Sequence, residues 1–180
     1  NLLDYLPNLA ELHLCSNNYE KIELSANLRK SSLKTIYLNN NLLKSWTEIC
    51  KLGRSFCNLE QLVLSGNSLS NFNFNLANNK NFIDEIGSCS CSNNASDLTN
   101  TDLFPNLKVL ILNKLNITEW SAIDQLNEFP SLKHVRIQNI PLLSNFNDEE
   151  KYFILVGHLD SRISTLNGGH ITPEDKENCE

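Results

Sequence analysis

The side chains able to do chemistry are few and scattered. Cys89 and Cys91 sit two positions apart in the run SCSCSNNAS, which raises a metal or redox site. Zinc is usually held by two ligand pairs with spacings of about two to four residues, and here neither a second pair nor a neighbouring histidine accompanies them. His13, His134, His158 and His170 are too far apart to form a ligand motif. The run NGGH, Asn167 to His170, has glycines but lacks the lysine and following hydroxyl residue of a phosphate loop. The carboxylate pairs Asp148, Glu149 and Glu174, Asp175 fall in charged, solvated segments. The expectation is a binding protein without catalytic residues, metal or cofactor, rather than an enzyme.

The chain as a whole agrees with a binding role. Its 180 residues, 41% hydrophobic and 20% charged, suffice for one domain. A net charge of -6 speaks against a nucleic-acid partner, because phosphate backbones are bound by clustered Lys and Arg. No stretch approaches the roughly 18 consecutive apolar residues of a membrane helix, so no membrane partner is expected. Cys15, Cys50, Cys57, Cys89, Cys91 and Cys179 lack the regular framework of a secreted disulfide scaffold, which points to a cytosolic chain with reduced thiols. Two glycosylation tripeptides, at Asn94 and Asn116, stand against that reading but arise readily by chance in so Asn-rich a sequence. Beginning at Asn1, the chain reads as a segment of a longer protein.

What must position any binding surface is an internal repeat. The spacing LxxLxLxxNxL runs through Leu9, Leu12, Leu14, Asn17 and Tyr19, through Leu33, Ile36, Leu38, Asn41 and Leu43, and through Leu59, Leu62, Leu64, Asn67 and Leu69. Looser copies follow at Leu107, Leu110, Leu112, Leu115 and Ile117, then at Leu132, Val135, Ile137, Ile140 and Leu142, with an apolar residue in place of the asparagine. This resembles the leucine-rich repeat and predicts an α/β solenoid, with a curved parallel sheet on the concave face and helices on the convex face. The asparagine can satisfy backbone groups at the bend, so its loss in the last two copies predicts an altered turn there.

Between copies, Trp46, Ile49, Leu52 and Phe56 make one helical stripe, with Ser45 and Glu48 as a capping box. Trp120, Ile123, Leu126 and Phe129 make a second, with Ser121 and Asp124 as its cap. Helical spacing assigns these aromatics to the core rather than to a ligand box. The interval from Leu59 to Leu107 is twice the usual period. Ile83 and Ile86 fall in register for a repeat but Ser88 does not, and nine asparagines between Asn71 and Asn100 predict a disordered insertion over residues 71–102. Residues 143–180 read as a cap on the repeats.

The strand positions between the leucines line the concave wall. The central row is His13, Tyr37, Val63, Ile111 and Arg136; a second is Ala10, Lys34, Glu60, Lys108 and Lys133; a third is Glu11, Thr35, Gln61, Val109 and His134. An exposed apolar centre of Tyr37, Val63 and Ile111 within a mixed polar rim predicts a protein-recognition surface.

The segments LPNLAELHLCSNNYEKI, SWTEICKLGRSFCNLEQLVLSGNSLS and EWSAIDQLNEFPSLKHVRIQNIPLL resemble the leucine-rich region of the tubulin-specific chaperone E family, its E-like branch above all. The ending from Glu149 is similar to the cap of intracellular leucine-rich arrays, with Leu159 and Asp160 where Leu-Pro is usual. The resemblance covers nearly all of the chain outside 71–102. It implies a monomeric cytosolic, cytoskeleton-associated protein that binds α-tubulin or the tubulin heterodimer and takes the heterodimer apart, destabilising microtubules. An acidic chain meeting acidic tubulin would then rely on short-range apolar contact. A leucine-rich adaptor of axonemal or splicing-associated type is the alternative.

Overall fold

A computed structural model of the chain describes residues 2–25, 28, 32–70 and 103–179. The repeat is realised as strands of three residues: β1 (Glu11–His13), β2 (Thr35–Tyr37), β3 (Gln61–Val63), β4 (Val109–Ile111) and β5 (His134–Arg136). They pair in parallel and in chain order, and β6 (Thr165–Leu166) continues the sheet before β7 (Gly169–His170) returns antiparallel. The β6–β7 hairpin turns on Asn167 and Gly168, both at positive φ (54° and 95°), as a two-residue hairpin requires.

Parallel pairing puts like positions of successive copies in register. Leu12, Ile36, Leu62, Leu110, Val135 and Leu166 form one inward row, and all but the half-buried edge residue Leu12 are at most 1% exposed. Leu33, Leu59, Leu107 and Leu132 close the core at the start of each coil and Leu43, Leu69 and Ile117 at its end, all buried. Each such side chain contributes about 1.5–3 kcal/mol that no isolated coil could gain, which is why the stack is the folding unit.

Across the long interval, β3 pairs directly with β4, Leu62 opposite Leu110. The insertion expected at 71–102, with Ile83, Ile86, Ser88, Cys89 and Cys91, lies outside the described residues.

The outer elements are less regular than the strands. Helix α1 (Trp46–Ser55) buries the expected stripe of Trp46, Ile49 and Leu52, with Phe56 at its end. Its cap differs from the capping box expected. Ser45 accepts from Thr47 N, while the Glu48 carboxylate accepts from Lys51 in its own helix and from Ile22 N at 2.6 Å in the previous coil. The second stripe is a five-residue α2 (Trp120–Asp124) running into a 3-10 turn (Gln125–Glu128). Ser121 and Asp124 do not cap it: Ser121 Oγ donates to Glu119, and Asp124 meets His158 Nδ1 at 2.6 Å. Tightening of the chain here presents Asn127, which donates to His158 O and accepts from Asp160 N. Beyond β5, α3 (Asp148–His158) starts on a capping box of Asn147 and Glu150, and α4 (Pro173–Glu177) on one of Thr172 and Asp175.

The asparagine turns carry the expected bonds. Asn41 donates to Leu14 O and Leu38 O and accepts from Asn17 N and Tyr19 N; Asn67 donates to Leu38 O and Leu64 O and accepts from Leu43 N. Where an altered turn was expected, in the last two copies, the left-handed bend persists, although the fifth copy continues from Ile140 into a 3-10 turn (Pro141–Leu143). The residue before the asparagine position is left-handed in every copy: Ser16, Asn40, Gly66, Lys114 and Asn139, at φ 57°, 55°, 70°, 57° and 55°. Leu115 and Ile140 keep that bend by filling the space with buried apolar atoms.

Candidate concave binding face

Alternation along each strand decides which side chains reach the concave wall. With Ile36, Leu62, Leu110 and Val135 turned inward, the residues on either side of them face outward. The register then assembles the central row as it was read from the sequence: His13 opposite Tyr37, Tyr37 opposite Val63, Val63 opposite Ile111, and Ile111 opposite Arg136. The neighbouring row of Glu11, Thr35, Gln61, Val109 and His134 is extended by Thr165 and then His170. The sequence signal for that extension is the Asn167-Gly168 pair, the turn of a two-residue hairpin rather than part of a phosphate loop.

The expected exposure of the apolar centre needs correction. Val63 is only 7% exposed, being flanked on the wall by Tyr37 and Ile111, which remain half-buried. The contact area is therefore supplied by Tyr37 and Ile111, with Val63 as the floor between them. His13 stacks on Tyr37 with ring centres 4.3 Å apart and places Nε2 at 2.5 Å from Glu11 Oε1; Tyr37 Oη in turn accepts a long bond from Gln61 Nε2. Tyr37 is thus held flat against one side of the wall.

The row bordering the strands is an ion-pair ladder. Its backbone steps from coil to coil, Glu60 N donating to Lys34 O, Lys108 N to Glu60 O and Lys133 N to Lys108 O. Glu60 takes Lys34 on one carboxylate oxygen and Lys108 on the other, the latter at 2.7 Å. The hydrogen bond from Lys108, then that from Lys34, holds the Glu60 carboxyl down to about 2. Lys133 and Arg136 make no side-chain hydrogen bond or ion pair among the described residues, and both are exposed. Across the three rows Lys34, Lys108, Lys133 and Arg136 stand against only Glu11 and Glu60, although the chain as a whole is at -6. The face has the opposite sign to the molecule, so close contact with an acidic partner is attractive there while the chain as a whole stays at -6.

Elsewhere, an open groove of about 810 Å³ lies between the turn after β5 and α3, lined by Asn139, Asp148, Lys151, Tyr152 and Asn167 among others. Lys151 holds the Asp148 carboxyl below its ordinary value, and burial raises the Tyr152 hydroxyl, which donates to Asp175. Both shifts have structural partners. Among the described residues no group of three or more His, Cys, Asp or Glu could hold a metal ion, and no helix is long and apolar enough to cross a membrane.

Comparison with known proteins places this wall in context. No protein-family model matches the chain. The human tubulin-specific chaperone cofactor E-like protein is 37% identical over 179 residues, which are 99% of this chain and 37% of that protein. Arabidopsis tubulin-folding cofactor E is 30% identical over 97% of the chain and 30% of its own length, and human tubulin-specific chaperone E is 29% identical over 97% of the chain and 29% of its own length. Among solved structures, the Drosophila SNF/U2A' complex aligns over 99% of the chain and 71% of its own at 17% identity and a TM-score of 0.48, a likeness too loose to bear on function. The chain thus spans about a third of the length of the relatives it matches. Over nearly its whole length the chain is similar to the tubulin chaperone E and E-like proteins, and its stacked parallel strands are those of a leucine-rich repeat fold.

Proposed function

We propose that the chain is the tubulin-binding module of a cofactor E-like tubulin chaperone, and that it acts in taking apart the αβ heterodimer and so in destabilising microtubules. The observation that carries this reading is similarity to chaperones of that name along 99% of the chain, over a solenoid whose concave wall is continuous from β1 to β5. The wall is a rigid platform: short strands locked in register offer Tyr37 and Ile111 as apolar contacts, with Lys34, Glu60, Lys108, Lys133, His13 and Arg136 around them. Its surface groups suit binding rather than catalysis, since the shifted carboxylates are engaged in ion pairs or, at Asp175, in a helix cap. α-Tubulin is the subunit expected on the wall, the module acts as a monomer, and the cytoplasm is its place of action.

Titration calorimetry of αβ-tubulin into the purified chain tests the reading. Binding that weakens at least tenfold in the double variant Tyr37→Asp, Ile111→Asp, with the thermal melt unchanged, is the expected result. A wild-type chain that gives no heat with tubulin, or a folded double variant of undiminished affinity, would overturn it.

A further inference from the structure

We propose that the β4–β6 half of the concave face is a receptor for an acidic peptide segment of the partner, with carboxylates seated on Lys133 and Arg136 and an apolar side chain on Ile111. The inference rests on the reading of the wall as a binding face and adds the chemistry of what it holds.

Charge is distributed unevenly along the wall. At the β1 end, Glu11 is occupied by His13, and Glu60 ties down Lys34 and Lys108. At the β5 end no carboxylate of the three rows faces the cations: the row positions there are Lys133, His134 and Arg136, followed by Ser164, Thr165 and His170. Lys133 and Arg136 are both exposed and both without an ion-pair partner among the described residues. Arg136 extends along the hairpin, so that a Cβ built on Gly168 would stand 3.7 Å from its Nη2. The bare Gly168 leaves the guanidinium open on that side. Arg suits a carboxylate through its two-pronged fork and Lys through a mobile point charge.

Spacing supports a peptide over a single small anion. Lys133, just before β5, and Arg136 at its end are three residues apart, about 10 Å in extended backbone, which exceeds the span of one carboxylate. The long side chains of both can converge on carboxylates about 7 Å apart, the separation of alternate positions in an extended peptide. Ile111 lies directly across the register from Arg136 and is half-buried, giving an apolar step beside the charged one. A nucleic-acid backbone is the less suitable occupant, because a chain at -6 repels a polyanion that extends beyond the local patch.

The test uses the intact chain and a fluorescent ten-residue peptide of alternating Glu and Ser with one central Phe, beside the same peptide with each Glu replaced by Gln. The Glu peptide is expected to bind at least tenfold tighter than the Gln peptide, and to lose at least tenfold in the variant Lys133→Glu, Arg136→Glu. The milder Lys133→Gln, Arg136→Gln serves should the reversal fail to fold, and Lys151→Glu is expected to bind as wild type. Equal binding of the two peptides, no binding of the Glu peptide, or indifference to both double variants would overturn the inference, as would tighter binding of a single-stranded oligonucleotide of ten residues. Tubulin binding that depends on Tyr37 and Ile111 but not on Lys133 and Arg136 would remove the acidic-segment inference and leave the proposed function standing. Glu-peptide binding by a chain indifferent to tubulin would do the reverse.

Discussion

The side-chain amide of Asn41 donates to the carbonyl of Leu14, 27 residues earlier in the chain, at 2.8 Å. One side chain thereby joins two coils, since its other bonds go to Leu38 O in its own turn and to Asn17 N and Tyr19 N in the coil before. Asn67 repeats the arrangement one coil later.

Replacing Asn67 by Ala should therefore strand two buried backbone groups, Leu64 O and Leu43 N, while Leu38 O keeps its bond from Asn41, at about 1–3 kcal/mol for each one left unsatisfied. We expect Asn67→Ala to lose at least about 2 kcal/mol in urea unfolding, against less than about 0.5 kcal/mol for Asn17→Ala, whose exposed amide reaches only Cys15 O. Equal losses would mean that the asparagines are surface groups.

The left-handed bend gives two substitutions of opposite sign. Gly66 has φ 70°, and an added Cβ would come within 2.4 Å of Asn40 Oδ1, so Gly66→Ala should destabilise by about 1–3 kcal/mol. Lys114 adopts the same bend at φ 57° with a side chain on it, and Lys114→Gly should stabilise by up to about 1 kcal/mol. Thermal melts of both variants check the pair.

Those turns also show where the sequence was and was not legible. The inward row and the concave rows follow from period-two alternation and a fixed repeat, so Leu62 in the core and Tyr37 beside Ile111 across Val63 could be placed by counting. Persistence of the bend at Lys114 and Asn139 could not, because a non-glycine left-handed residue leaves no mark in the spacing. The caps failed for a related reason. Glu48 is taken by Ile22 N and Asp124 by His158, partners that only coil stacking brings near. Burial of Val63 is not legible in the same way, because an alternating pattern says which way a side chain points and not how large its neighbours are.

Glu60 makes stability sensitive to acid. Its carboxyl is lowered from 4.5 to about 2 by Lys108 and then Lys34, so its support for the fold is complete above the ordinary value and is lost as pH falls from there through about 2. The difference in urea midpoint between wild type and Glu60→Gln should be constant above pH 5 and shrink across that window. A difference that grows on acidification would contradict the ladder.

Cys50 is buried in α1, and burial pushes its thiol up to about 12. At pH 8 it should react with a disulfide reagent only as fast as the fold opens, while the partly exposed Cys57 reacts well ahead of it. Mass-spectrometric mapping of labelled thiols over time checks the order.

Hydroxyl-radical footprinting of the chain with and without αβ-tubulin tests the concave-face assignment most directly, because it reads side-chain access residue by residue. Oxidation of Tyr37 and Ile111 is expected to fall when tubulin is added while that of Tyr152, on α3, is unchanged. Protection of Tyr152 with Tyr37 and Ile111 as reactive as before would contradict it.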